Sequence, residues 1–290
     1  MFILAIYFLS IPTLEAGKIE IIREEGREFY LLKEGVTVKI DEKIVKSKEG
    51  MYIESEGEAL LWDSVILSTP NYEVRADTLL YKEKEKEISF YGNVRVKDGK
   101  REIKAKELIS RKDTVYLSRE VTLISGNITI SGGRGIYLLD QGYGIIIDSP
   151  VASIENAETL KIISREMAFR GDTFWGIKDV EFYGKNLKGK GDSLLYYKKE
   201  ERGILLGRPK VIFEEGEAEA DSILWILNEG VIKKIEFTGK AILITKSEEG
   251  ILTIRAPFLR ALTVNGSFTH LYGEDIEEGK YQEMKEDEGS

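Results

Sequence analysis

The chain repeats one short pattern at a fixed interval, and this periodicity limits the available folds more than any other feature. The pattern is an acid, a hydroxyl residue, two aliphatic residues and an aromatic residue, and it is clearest in residues 77–81, 192–196 and 221–225. The last two copies lie about 29 residues apart. Weaker copies follow on the same grid and begin at Lys106, Arg134 and Arg165. A period of this size predicts a stack of one supersecondary unit, in which each copy buries its apolar face against the next.

Within each copy the hydrophobic pattern is that of β-strands. Apolar and polar residues alternate in runs such as 94–96, 121–123 and 180–182, which is the spacing of a half-buried strand. The chain has 28 Gly, only five Pro and no long stretch with helical periodicity. We therefore predict an all-β protein, an elongated stack of antiparallel strands, with about four short strands or two hairpins in each copy.

Turn residues separate the predicted strands. Asp98-Gly99, Ser125-Gly126-Asn127 and Gly132-Gly133 are sequences that tolerate positive φ and close hairpins. The charged run from Lys82 to Glu87 is predicted to be a hairpin tip in water, since mixed charges are typical of solvated surfaces.

Composition excludes several classes of function. The net charge is −9 and the isoelectric point is near 5.1, which argues against a nucleic-acid-binding protein because such a protein needs a basic stripe. The absence of cysteine excludes disulfides, thiolate nucleophiles and cysteine metal sites. We expect no cofactor.

The two ends differ from the repeats. Residues 1–16 are mostly apolar and end in Leu14-Glu15-Ala16, which predicts a signal peptide cleaved after Ala16. The alternative is an uncleaved anchor to the inner membrane, although the apolar run is shorter than the roughly 20 residues of a spanning helix. The repeats are predicted to form one domain over residues 17–272. Residues 273–290 are acidic and are predicted to be a disordered tail.

Residues suited to catalysis are scarce. His270 is the only histidine, and no nucleophile or second acid accompanies it in the sequence. Asp77, Asp192 and Asp221 form a column that suggests a carboxylate ladder, but the same grid position is basic in other copies. We call these first residues of each copy the landmark residues, and we predict that they are exposed residues at strand starts. The sequence therefore predicts neither an enzyme nor a metal site, and the aromatic column of Tyr81, Tyr196 and Trp225 is predicted to be a core ladder.

Two neighbouring segments carry a family resemblance. Residues 74–81, VRADTLLY, followed by residues 88–96, ISFYGNVRV, resemble the A-D-x-L-x-Y and G-N-V-x-V pattern of the OstA-like family of lipopolysaccharide-transport proteins. The resemblance covers roughly residues 35–262. It implies a twisted, open β-jellyroll with an apolar groove along its axis. In the last copy, Ala256-Pro257 replaces Ala-Asp, which puts strand pairing there in doubt and suggests a terminal cap.

The same resemblance implies the function and the partners. It implies a periplasmic carrier that bridges the inner and outer membranes and binds the acyl chains of lipopolysaccharide or a related glycolipid. The implied protein partners are other OstA-like transport proteins at both membranes and further copies of the same chain, joined end to end. No nucleic acid is expected.

If a groove exists, its lining should be the inward-facing residues of the strands. An apolar lining removes the cost of exposing acyl methylenes to water, about 0.8 kcal/mol each. The predicted lining residues are Ile88, Phe90, Val94, Val96, Ile103, Val115, Leu117, Val121, Leu123, Ile128, Ile130, Val180, Phe182, Val211, Phe213, Ile235 and Phe237.

Two other function classes remain open. In a structural or adhesive β-solenoid, the same residues would form a filled core without a ligand. A carbohydrate-active enzyme on a parallel β-helix is less favoured, because the repeat is longer than the usual coil and no paired carboxylates cluster.

Overall fold

The computed structural model describes residues 13–283 except 25, 41, 100, 156–158, 215, 229–230, 248 and 265–266. These residues form 24 β-strands, and no helix occurs among them. The predicted all-β fold class is therefore confirmed. The chain divides into two compact units, residues 1–148 and 149–290. That residues 17–272 act as one domain stays a prediction.

The first unit contains eleven strands. They are β1 (Thr13–Glu24), β2 (Arg27–Ile40), β3 (Lys43–Ser47), β4 (Glu49–Ile53), β5 (Glu58–Ser68), β6 (Glu73–Lys82), β7 (Glu87–Lys97), β8 (Arg101–Arg111), β9 (Thr114–Ser125), β10 (Ile128–Leu138) and β11 (Tyr143–Ile147).

The second unit contains the other thirteen. They are β12 (Val151–Glu155), β13 (Thr159–Ile163), β14 (Glu166–Arg170), β15 (Thr173–Tyr183), β16 (Leu187–Tyr197), β17 (Arg202–Leu206), β18 (Lys210–Phe213), β19 (Gly216–Glu219), β20 (Ser222–Asn228), β21 (Val231–Lys246), β22 (Gly250–Val264), β23 (Ser267–Glu274) and β24 (Glu278–Glu283).

Strands from β5 to β10 each pair antiparallel with the next one along the chain, so a repeat here is one out-and-back pair. In each of these pairs one strand carries a bulge, and the register shift there divides both strands into two arms. In β7 the first arm buries Ile88 and Phe90, and the second arm buries Val94 and Val96. A repeat therefore has four short arms, as the sequence predicts. The arms enclose the core of a β-jellyroll.

The bulges recur with the period of the sequence. At each of these periodic bulges, two consecutive residues have positive φ, although most of them are not glycine. The pairing of β5 with β6 gives an example. Trp62 pairs with Thr78 and Val65 with Ala76, so residues 63 and 64 of β5 together face the single residue Asp77 of β6. We call each such pair of residues a corner. The corners are Glu34/Gly35, Asp63/Ser64, Gly92/Asn93, Arg119/Glu120, Asp148/Ser149, Lys178/Asp179, Gly207/Arg208 and Gly239/Lys240.

Each landmark residue contacts the corner that follows it, and the residue types are complementary. A basic landmark contacts an acid: Lys106 Nζ lies 3.5 Å from Glu120 Oε2. Lys48, one repeat before Asp77, is 2.9 Å from Asp63 Oδ2 in the same way. An acidic landmark contacts a glycine instead. These pairs are Asp77 with Gly92, Asp192 with Gly207 and Asp221 with Gly239.

This arrangement corrects two details of the sequence interpretation. Asp77 and Asp192 are exposed, as predicted, but they lie inside strands β6 and β16 and not at strand starts. The strand continues past them because the bulge is on the neighbouring strand. Asp77 and Lys106 carry opposite charges because their corners differ: Asp77 contacts a glycine, and Lys106 contacts an acid.

Turn predictions are partly confirmed. Residues 83–86 form the exposed tip between β6 and β7, whereas Glu87 is buried. Gly132-Gly133 was predicted to be a turn, and this was wrong. Both residues lie within β10, where Gly133 faces a corner: a Cβ atom there would come within 2.8 Å of the Cβ of Asp148.

Pro257 does not disturb strand pairing, contrary to the doubt raised by the sequence. Thr238 pairs with Phe258 and Ala241 with Ala256, so Pro257 lies opposite the corner Gly239/Lys240, at a position with no direct register partner. The N–H that proline lacks is therefore not needed in this ladder.

The chain ends also differ from expectation. Within the predicted disordered tail, Glu278–Glu283 forms β24 and pairs with β22 over six positions, so backbone hydrogen bonds offset its acidic composition. Residues 284–290 of that tail lie outside the described residues. So do residues 1–12 of the predicted signal peptide, whereas Thr13–Ala16 begin β1.

Candidate functional site

The predicted lining residues are the inward-facing residues of their strands. All of them are buried except Ile103, which is half-buried. Their neighbours along the chain differ: Arg95 and Glu181 are exposed and Thr122 is half-buried. The predicted alternation is thus confirmed. Contact between these side chains and a lipid stays a prediction.

In the first unit aliphatic side chains surround the buried ring of Phe90. Phe90 is fully buried and pairs in register with Leu79 on one side and Leu108 on the other, which are both buried. Such an environment contains no group that could hydrogen-bond to a polar ligand, but it matches the chemistry of an acyl chain.

In the second unit aromatic rings fill the core. Phe182 stacks on Trp225, with ring centroids 5.0 Å apart and an interplanar angle of 28°. Glycines make room for both rings: a Cβ at Gly189 would overlap Phe182, and one at Gly203 would overlap Trp225. Sequence analysis missed these glycines, although a glycine at an inward position of a strand is the signal that could have found them.

Of the aromatic column, Tyr196 and Trp225 are fully buried and Tyr81 is half-buried. Phe174 packs against Tyr196 with ring centroids 5.0 Å apart. Burial raises the pKa of Tyr196 to about 12, so the phenol stays neutral at physiological pH. Tyr196 and Trp225 are therefore core residues, as predicted, and that the column forms a ladder stays a prediction.

Inward-facing apolar residues become exposed at the first strand. Ile19 pairs with Leu32 and Ile21 with Tyr30, so each shares a face with its partner on β2. Ile19 is nevertheless 48% exposed, whereas Leu32 is 1% exposed. Within the described residues β1 pairs only with β2, so its other edge has no neighbouring strand there.

The last strands of the second unit show the same change. Leu271 of β23 pairs with buried Ala261, and Tyr281 of β24 pairs with Leu252. Leu271 and Tyr281 are both exposed, Tyr281 by 53%. Each unit thus has apolar side chains of the inward face open to solvent at a terminal strand.

One polar cluster is buried in the first unit. Glu87 is 6% exposed, accepts a hydrogen bond of 3.0 Å from Ser89 Oγ and forms an ion pair with Arg111. Arg111 itself is exposed. The hydrogen bond and the ion pair together satisfy the buried carboxylate.

Groups for other chemistry do not converge. His270 is exposed. Asp77, Asp192 and Asp221 each contact the glycine of their own corner. Over residues 13–283, outside the gaps, no group of three or more His, Cys, Asp or Glu residues is arranged to hold a metal ion. In the same part of the chain no helix is long and apolar enough to cross a membrane.

Comparison with solved structures finds nine matching chains. LptH of Pseudomonas aeruginosa, described as the LptA homologous periplasmic component of the lipopolysaccharide transport device, is 16% identical. The alignment covers 58% of this chain and 82% of that chain, with a TM-score of 0.17. No curated protein matches the chain.

A family model gives the clearer result. The model described as LptA/(LptD N-terminal domain) LPS transport protein matches twice, at residues 12–116 and at residues 73–231. The two matches overlap and include both segments that carry the OstA-like pattern. Since together they span more than half of the sequence, the chain belongs to this family of lipopolysaccharide-transport proteins.

Proposed function

We propose that the protein is a periplasmic carrier that holds the acyl chains of lipopolysaccharide, or of a related glycolipid, against the inward faces of its strands and does no chemistry on them. The observation that carries the proposal is the alternation of buried apolar and exposed polar residues along the strands of a lipopolysaccharide-transport family member. The alternation separates an apolar interior from a solvated exterior, as acyl transport in water requires.

Entry of the lipid is proposed to begin at a terminal strand. Most lining residues, such as Phe90 and Val180, are already covered by the chain itself. An acyl chain can reach them only if the arms separate, whereas Ile19 and Ile21 of β1 present apolar surface directly to solvent. Covering these side chains would remove apolar area from water at about 25 cal/mol per Å².

Photo-crosslinking tests the carrier. A crosslinking residue is placed at inward Leu123 or Phe182 and, as matched controls, at their neighbours Thr122 and Glu181, and the protein is then incubated with lipopolysaccharide. Adduct formation is expected at the inward positions only, because successive side chains of a strand point to opposite faces. Equal capture at the inward and the outward positions would contradict the carrier function. So would the absence of capture in a folded protein.

A filled structural stack is the second candidate. It is favoured by the ring-over-glycine packing of Trp225 on Gly203, which closes the core of the second unit without a ligand. Mass spectrometry of solvent extracts from the purified protein separates the two functions. A carrier should retain glycolipid in stoichiometric amounts, and a filled stack should retain none.

We also propose that terminal strands join further copies or other members of the family by strand addition. An open strand edge with exposed apolar residues is a template for pairing. Size measurements at increasing concentration should show end-to-end oligomers for the natural chain and fewer for Ile21→Lys. Tyr116→Lys is the control, since Tyr116 is similarly exposed but lies on β9, which is paired on both sides. Equal loss in both variants would contradict the role of β1.

Export to the periplasm is proposed from residues 1–16. Cleavage after Ala16 would leave β1 to begin at Gly17, without the pairs of Leu14 with Val38 and Ala16 with Val36. Amino-terminal sequencing of protein produced in a Gram-negative host tests this. A mature chain that begins at residue 17 supports export with cleavage, and an intact Met1 in the membrane fraction would support the uncleaved anchor.

A further inference from the structure

Four cations lie in one line on the outer face of the first unit. They lie on β3, on the first arms of β6 and β8 and on the second arm of β7, where Arg95 stands between inward-facing Val94 and Val96. Arg75 pairs in register with Arg95, and Arg95 pairs with Lys104. Lys46 continues the line on the other side of Ile66, which pairs with both Lys46 and Arg75. We call Lys46, Arg75, Arg95 and Lys104 the cationic row.

The row is only partly neutralised. Arg75 Nε is 2.6 Å from Glu73 Oε1, and Lys104 Nζ is 3.8 Å from Glu102 Oε1. Among the described residues Arg95 and Lys46 have no ion-pair partner, and both are exposed. Like charges directly opposite each other destabilise a sheet, so the cationic row lowers the stability of the folded chain. It does so although the chain as a whole has an excess of acids.

In the second unit a similar pair of opposed cations is neutralised by neighbouring acids. Lys190 pairs in register with Lys210, at the same place relative to its corner. Here acids adjoin the pair: Lys210 Nζ is 2.7 Å from Glu217 Oε2 and 3.2 Å from Glu219 Oε1. Glu181 lies opposite Lys190 on the other side. The cationic row of the first unit has no such acids in line, which indicates that its charge faces something outside the chain.

We propose that the cationic row is a docking surface for the phosphate headgroups of an anionic membrane. Neighbouring strands lie about 4.8 Å apart, so Arg75, Arg95 and Lys104 present three cations over about 10 Å on an open face. No wall encloses a single anion there, and one exposed cation holds one phosphate weakly. A membrane supplies many phosphates at once, and each nearby Lys or Arg adds to the attraction.

An acidic protein segment fits this face less well. Protein interfaces have apolar centres depleted of charge, whereas the only apolar member in the line is half-buried Ile66. The negative net charge of the chain does not prevent docking, because at physiological ionic strength charges more than about 8 Å away are largely screened. The inference does not depend on glycolipid transport and is tested without glycolipid.

The test is co-sedimentation of the full chain with vesicles of phosphatidylglycerol and phosphatidylcholine, compared with vesicles of phosphatidylcholine alone. Binding is expected only to the anionic vesicles and should weaken as salt is raised. Arg95→Gln should lower the affinity about fivefold, the loss expected for one cation near an anionic surface. Lys190→Gln removes the same charge from the compensated pair and should leave binding unchanged.

Two further readouts keep the result interpretable. Arg95→Gln should raise the melting temperature, because it removes like-charge repulsion, and a weaker binder that is more stable cannot be explained by misfolding. Inorganic phosphate at matched ionic strength should not displace the vesicles. The proposal is overturned if both vesicle types bind equally, if Lys190→Gln weakens binding as much as Arg95→Gln, or if phosphate competes. Absence of binding to either vesicle also overturns it and leaves an acidic protein segment as the better partner.

Discussion

A Cβ atom on Gly92 would overlap the Oδ2 atom of Asp77, so this landmark carboxylate and this corner glycine depend on each other. Asn93, the second residue of the corner, donates a hydrogen bond of 3.0 Å from Nδ2 to the same oxygen. The corner thus holds the carboxylate from both of its residues.

The first prediction concerns Gly92→Ala. It should destabilise the first unit by about 2 to 4 kcal/mol, because positive φ disfavours alanine and because the new methyl group collides with Asp77. Gly99→Ala is the matched control. Gly99 also has positive φ, but nothing lies within 4 Å of its added Cβ, so only the backbone cost of about 1 kcal/mol should remain. Denaturant unfolding measures both, and equal losses would contradict the contact.

The second prediction concerns Arg111→Ala, which leaves the buried carboxylate of Glu87 without its ion-pair partner. The free energy of unfolding should fall by about 2 to 3 kcal/mol, since a buried charged group that loses a partner keeps its desolvation cost. Arg134→Ala removes an ion pair between exposed groups, with Asp148 at 2.5 Å, and should cost clearly less because solvent screens such a pair. The reverse order would show that burial of Glu87 does not matter.

The third prediction concerns Gly203→Ala in the second unit. A Cβ there overlaps the ring of Trp225, so a loss of about 1 to 3 kcal/mol and a changed near-ultraviolet spectrum of tryptophan are expected. Gly279→Ala has open space around its added Cβ and should be neutral or stabilising by about 0.5 kcal/mol. An unchanged tryptophan signal in Gly203→Ala would contradict the ring-over-glycine packing.

The fourth prediction concerns acid stability at β1. Hydrogen bonds from Lys18 and Lys33 lower the pKa of Glu20 to about 2 from its ordinary value of 4.5. The folded-state pKa is depressed, so the stabilisation is fully present above pH 4.5 and is lost as the pH falls through about 2. Titration of Glu20 by NMR should give the low pKa, and Lys18→Gln with Lys33→Gln should return it toward 4.5. An ordinary pKa in the natural chain would contradict these contacts.

The strands and their inward faces could be predicted from the sequence because alternation is a local signal. Val94, Val96 and Phe182 are buried where the pattern places them. The corners could not be predicted in the same way. Asp77 and Lys106 look unrelated until the register places each beside a corner on the next strand. Pro257 looks like a strand breaker until the bulge opposite it is known.

The candidate site could likewise be predicted only in part. The set of inward residues follows from local alternation. Their exposure to solvent depends on whether a further strand pairs beside them, which the local sequence does not show. Ile19 alternates with polar neighbours like a core residue but is exposed, since among the described residues β1 pairs with β2 alone.

The complementary corners also constrain how a chain of this kind can lengthen or shorten in evolution. An acidic landmark is compatible with a following corner that contains glycine, and a lysine or arginine landmark is compatible with an acidic corner. Duplication or deletion of a whole repeat keeps its internal pairs but creates one new junction. If that junction placed Asp77 against the Asp63 type of corner, two carboxylates would meet where the fold has an ion pair or a glycine. Copy number can therefore change freely only between repeats of the same charge type, and the order of acidic and basic landmarks records which neighbours a repeat accepts.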